Sequence, residues 1–233
     1  MKGSERMNKF YNFIENDDIC DIYLYGDVGE WDEINSYNFR CSLSNIEDNK
    51  PINIHISSYG GEVAEGLAIG SLIKQHKGKT VAIIDSWACS IASIIACSCD
   101  EIEMYSSSML MIHNALCGIV GNAKDLREQA DVLDKISESL KTVYLSKSNG
   151  KLTLEKVTEL MDNETWLSAE ECSEYGLCDK IIGLNNNMVA KLDEGILNKY
   201  KNVPEQVKDI IDSVKEKEME NKRKLLELEL ALI

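Results

Sequence analysis

Apolar and polar residues alternate along "PINIHIS" (51–57), with β-branched residues at the apolar positions, which predicts a half-buried strand. "DICDIYLYGDVG" has the same character and ends in a glycine-bounded turn. "SSYGGE" interrupts the pattern, and "EVAEGLAIGSLIKQH" then takes up helical apolar spacing. Residues 31–45 also look helical. "KTVAIID" (79–85) is a continuous apolar run of buried-strand type, followed by a short stretch of small apolar residues at 88–97. "DEIEMYSSSMLMIHNA" holds two short strands around a serine-rich turn. From Asn122 to about Ser148, the positions Ala123, Leu126, Ala130, Leu133, Ile136, Leu140 and Val143 form one stripe, so a long amphipathic helix is predicted. Asn122 suits its N-cap and Gly150 its stop. A helix at 153–161, a strand at "TWLS", a helix at 169–175 and a strand at "LCDKII" follow. Strands and helices take turns, so the expected fold class is α/β, in layers.

Beyond residue 185 the pattern changes. Residues 205–233 hold 14 charged residues, and the heptad-like series Val207, Ile211, Val214, Leu225, Leu228, Leu232 is broken by Glu218 and Asn221. A compact domain over 1–190 and a charged helical extension over 191–233 are the expected organisation. The extension reads as a solvated or partner-dependent helix.

Charge narrows the function classes. Forty acidic against 25 basic residues give a net charge of −15, which repels phosphate backbones and anionic lipid. Neither a nucleic-acid nor a membrane partner is expected. No apolar run reaches membrane-spanning length and "MKGSERMNKFYNF" lacks a signal-peptide core, so a cytoplasmic location is expected. Eight cysteines show no C-x-x-C spacing and sit mostly in apolar runs, the pattern of reduced, buried thiols. Neither a metal nor another cofactor is expected. "HKGKT" fails as a phosphate loop because Ile73 stands where the required glycine would be.

What chemistry remains begins at "DSWACSIASIIACSC" (85–99). A strand entering a short helix through a tight turn can present Ser90 beside free backbone N–H groups, with the small residues Ala88 and Ala92 on either side. Taken alone, Ser90 reads first as an N-cap or a packed core hydroxyl. Of three histidines, His55 lies inside a strand and His76 in a polar stretch, whereas His113 stands where an apolar strand enters a loop. A structural histidine and a catalytic base are equally good readings of that place. Gly60 and Gly61 follow a strand directly, so they give either a plain turn or bare backbone for a substrate. A serine, a strand-end histidine and a diglycine together match the nucleophile, base and oxyanion logic of serine hydrolysis.

Three blocks, "INIHISSYGGEVAEGLAI", "SWACSIASIIACSCDEIEMYSSSMLMIHNALCG" and "ETWLSAEECSEYGLCDKI", resemble in order and spacing the Clp protease proteolytic subunit family, over residues 20 to 183. The resemblance implies a crotonase-like spiral of ββα units with a long handle helix at 122–148. It also implies a Ser-His-acid peptidase. Ser90 takes the place of the nucleophile, His113 that of the base, and Gly61 with the N–H of Ile91 that of the oxyanion hole, with Gly60 supporting. Glu164 falls where the family's aspartate stands, and Asp162 is the fallback. Ser86 and Ile91 replace a common glycine and methionine without removing a catalytic atom.

The family implies a homo-oligomeric ring and protein substrates. The charged extension and "ETWLSAEE" are similar to phage head maturation proteases, which cleave capsid or scaffold proteins; the location would then be the host cytoplasm. Three alternatives stand beside that reading. One is a cellular Clp subunit working with an ATP-dependent unfoldase, another a crotonase-type acyl-CoA enzyme, and the third a catalytically idle assembly protein.

Overall fold

The computed structural model describes residues 10–15, 18–32 and 34–183. The proposed extension over 191–233 therefore lies outside the described residues. Within them the chain alternates strand and helix: β1 (Phe10–Glu15), β2 (Cys20–Val28), α1 (Ser36–Leu43), β3 (Ile52–Gly61), α2 (Val63–Gln75), β4 (Thr80–Cys89), α3 (Ile91–Cys97), β5 (Glu101–Tyr105), β6 (Met109–Ile112), α4 (Ala123–Ser148), α5 (Leu154–Asp162), β7 (Thr165–Ser168), α6 (Ala169–Tyr175) and β8 (Lys180–Ile182). Strands β2, β3, β4, β5 and β8 are parallel neighbours in that order, with β1 antiparallel on the outer edge. This is the expected α/β class, with a mostly parallel sheet and crossover helices.

Alternation explains which sheet face is dry. Ile22, Leu24, Ile52, Ile54, Ile56, Ala82, Ile84, Ile102 and Met104 point one way and are buried. Helix α3 packs against β3 and β4, and α2 and α4 pack against α3. Every residue of α3 is buried, as a helix apolar all round requires.

Strand β4 has two partners. Its first half, Val81 to Ile84, pairs with β5, and its second half, Trp87 to Cys89, pairs with β6. Strand β6 in turn pairs antiparallel with β7, from Met109↔Ser168 to Ile112↔Thr165. The candidate site residues Ser90, His113 and Glu164 lie along this fork.

Several boundaries depart from the sequence reading. The diglycine does not break β3, because Gly60 and Gly61 keep their ladder positions opposite Asp27 and Val28. Strand β4 continues past residue 85 to Cys89, held by β6. The helix expected over 31–45 is only Ser36–Leu43, started by the side chain of Asn35. β1 was not foreseen. Helix α4 ends in the left-handed Asn149, one residue before the expected Gly150.

Candidate active site

Ser90 joins β4 to α3 with φ 55° and ψ −127°, a left-handed conformation that costs an L-residue of order 1–3 kcal/mol. The contacts around it hold that strain in place. Its N–H donates to Met111 O at 2.8 Å, which extends the β4–β6 pairing by one residue. Its carbonyl accepts from both the N–H and the hydroxyl of Ser93, at 3.0 and 2.6 Å. The Ser93 hydroxyl lies 2.6 Å from that of Tyr144 on α4. The hydroxyl of Ser90 is left facing His113.

His113 follows the last residue of β6, and its Nε2 lies 2.7 Å from Ser90 Oγ. The β4–β6 register, with Cys89 opposite Met111, brings the two residues to the same end of neighbouring parallel strands. Burial pushes the His113 imidazole below its ordinary pKa, and the Glu164 carboxylate pulls it partly back up. His113 is only 8% exposed, so its neutral, proton-accepting form is favoured. The other two histidines are engaged elsewhere: His55 Nδ1 with Asp85 Oδ2 at 2.9 Å, and His76 Nε2 with Lys50 O at 2.8 Å.

The acid candidates occupy the turn between α5 and β7. Glu164 has φ 49°, so the chain reverses there, and its charge acts on His113. Asp162, two residues earlier, accepts a hydrogen bond from Asn114 Nδ2 at 2.7 Å.

The glycines lie against the elbow. A Cβ on Gly60 would sit 2.7 Å from Cys89 O, 2.8 Å from Ser90 Cβ and 3.1 Å from Ile91 N, and Gly60 itself has φ +92°. On Gly61 it would fall on Val28 O, with φ +148°. Only glycine fits at either position. Ile91 begins α3, so its N–H has no acceptor within the helix. The N–H of Gly60 is taken by Ser58 Oγ at 3.0 Å.

A half-buried serine hydroxyl on a histidine, a carboxylate acting on that histidine and bare glycine backbone alongside are a peptidase arrangement. Comparison with known families agrees, since residues 2–185 match Clp protease. The chain belongs to the Clp protease family. It is 27% identical over 163 residues to the ATP-dependent Clp protease proteolytic subunit 3 of Rhodococcus jostii, an alignment covering 69% of this chain and 80% of that protein. It is 29% identical over 142 residues to an ATP-dependent Clp protease proteolytic subunit of Bacteroides fragilis, covering 60% of this chain and 68% of that one. As a Clp protease it is a serine-type peptidase, a hydrolase.

Six of the eight cysteines are buried, and burial pushes the Cys97 and Cys99 thiols up to about 12, far from reactive thiolate. Among the described residues no cluster of histidine, cysteine and acids could hold a metal ion, and no helix is long and apolar enough to cross a membrane. Ser93, Tyr144 and Asn114 were missed in the sequence. Ser93 left a faint signal, since a hydroxyl three residues after the elbow can turn back to its carbonyl.

Proposed function

We propose that this Clp protease cleaves peptide bonds with Ser90 as nucleophile, His113 as base and Glu164 as orienting acid. The carrying observation is the 2.7 Å approach of His113 Nε2 to Ser90 Oγ. In this reading Nε2 accepts the serine proton as Oγ attacks the substrate carbonyl, and the N–H groups of Gly61 and Ile91 hold the oxyanion. The imidazolium then returns the proton to the leaving amine. Water repeats the sequence on the acyl-enzyme, with His113 taking its proton, and Ser90 is regenerated. The influence of Glu164 on His113, and the engagement of Asp162 by Asn114, favour Glu164 over the fallback acid. The protein works as a homo-oligomeric ring, as the family does.

For the biological role we favour head maturation: cleavage of capsid or scaffold proteins in the cytoplasm of a phage's host. The family match stops at 185, which supports a peptidase domain over 1–190 and a separate charged extension over 191–233 acting as a tether. A second reading, a subunit serving an ATP-dependent unfoldase, is favoured by the names of the curated relatives.

The test is Ser90→Ala. It is expected to lower peptide hydrolysis by at least roughly 10⁴-fold and to abolish labelling by a serine-directed fluorophosphonate. Retained hydrolysis would refute the assignment, and an acyl-CoA enzyme or an idle assembly protein would show no such labelling at all. Incubating the wild type with a capsid-type precursor and with denatured casein, with and without an unfoldase and ATP, separates the two roles. Unaided cleavage of the precursor supports maturation; cleavage only alongside the unfoldase and ATP supports housekeeping degradation.

A further inference from the structure

The β6–β7 ladder ends at the pair Ile112↔Thr165. Counting one step further in the same antiparallel register sets His113 opposite Glu164. At that step the backbone ladder has stopped: residues 114–122 form no helix or strand, and Glu164 turns the chain through its left-handed φ. The base and the acid thus stand just past the last backbone rung, where a strand pair would ordinarily fray.

Side chains take over there. Asn114 Nδ2 donates to Asp162 Oδ1 at 2.7 Å and joins the residue after the base to the end of α5. The neighbours of Glu164 are fixed as well: Asn163 Nδ2 donates to Glu159 O at 2.9 Å, and Thr165 Oγ1 to Leu160 O at 2.7 Å. On the other strand the N–H of Ala115 donates to Ser137 Oγ of α4 at 3.1 Å. From Leu116 to Arg127 every residue is exposed. The Asn114–Asp162 bond is therefore a cross-link beside the base–acid pair, on the side of that exposed segment.

We infer that Asn114 and Asp162 form a positioning clamp that holds His113 against Glu164, an inference resting on the assignment of Ser90, His113 and Glu164 proposed above. Asp162 is then a structural partner of the acid turn. The clamp acts through orientation. A surface hydrogen bond adds little to stability, whereas an ångström of misplacement between base and acid costs up to about 100-fold in rate.

The experiment compares Asn114→Ala, Asp162→Ala and the swapped pair Asn114→Asp with Asp162→Asn in the full chain, on a fluorogenic peptide. Rates are expressed per Ser90 labelled by a fluorophosphonate, so misfolded protein does not count. Each alanine variant is expected to lose about tenfold in kcat with KM nearly unchanged. The acidic limb of its kcat/KM profile moves to lower pH, because a displaced Glu164 no longer raises the His113 pKa. The swapped pair, which keeps one donor and one acceptor, restores kcat to within about threefold of wild type.

Alanine variants that keep full kcat, or a swap no better than either alanine, overturn the clamp. If Asp162→Ala is as inactive as Ser90→Ala while Glu164→Gln is nearly normal, Asp162 is itself the triad acid and the clamp falls. Hydrolysis retained in Ser90→Ala defeats the underlying assignment instead, and the clamp with it.

Discussion

At the scale of single residues, the candidate site includes two residues held in backbone conformations that L-residues rarely adopt. Ser90 and Glu164 both have positive φ without being glycine, and hydrogen bonds at or beside both turns fix them. His113 is tuned between opposing influences, burial lowering its pKa and Glu164 raising it. Replacing Glu164 by glutamine removes the raising influence, so the His113 pKa falls further. The acidic limb of kcat/KM should then shift to lower pH while kcat drops by roughly 10³–10⁴-fold, as for other triads deprived of their acid. A pH–rate profile of the Glu164→Gln enzyme reads both quantities, and an unmoved acidic limb would show that Glu164 does not govern His113.

Among the elements, α2 and α3 meet through glycine. A Cβ on Gly66 would fall on Cγ1 of Ile91, the residue whose N–H is assigned to the oxyanion hole. Alanine is the better helix former by about 1 kcal/mol, but a clash against a fully buried isoleucine opposes it with about 1–3 kcal/mol. Gly66→Ala is therefore expected to lower the thermal unfolding midpoint and to reduce kcat more than KM. A midpoint raised with kcat intact would mean the helices can part at no cost.

The elements also show what the chain discloses before it folds. Helix α4 was legible almost to the residue because its start is local: Asn122 and Asp125 cap each other's backbone within one turn. Ser90, His113 and the diglycine were legible as candidates because strand ends and elbows leave short-range signs. The continuation of β3 through Gly60 and Gly61 was not, since glycine pairs read locally as turns and only the neighbouring β2 keeps them extended. The Asn114–Asp162 bond spans 48 positions and left no local trace.

At the scale of the whole molecule, exposed apolar side chains gather, among the described residues, on the segment after His113 and the start of α4. Leu116, Ile119 and Val120 on the irregular segment, and Leu126 and Val132 on the first half of α4, are exposed, and the buried residues of that helix begin only at Ser137. At 1.5 Å per residue, the part of α4 before Ser137 is about 20 Å long and holds no buried residue. Such surface suits contact with further copies of the chain. The double variant Leu126→Glu, Val132→Glu is expected to shift the mass measured by light scattering toward smaller species; an unchanged mass would place the ring contacts elsewhere.

The fork in β4 has a consequence at this same scale. Ser90 is mounted at the end of the strand that both panels share, whereas His113 and Glu164 ride on the two-stranded flap of β6 and β7. A slight tilt of that flap would draw nitrogen away from oxygen while most of the large sheet stayed intact.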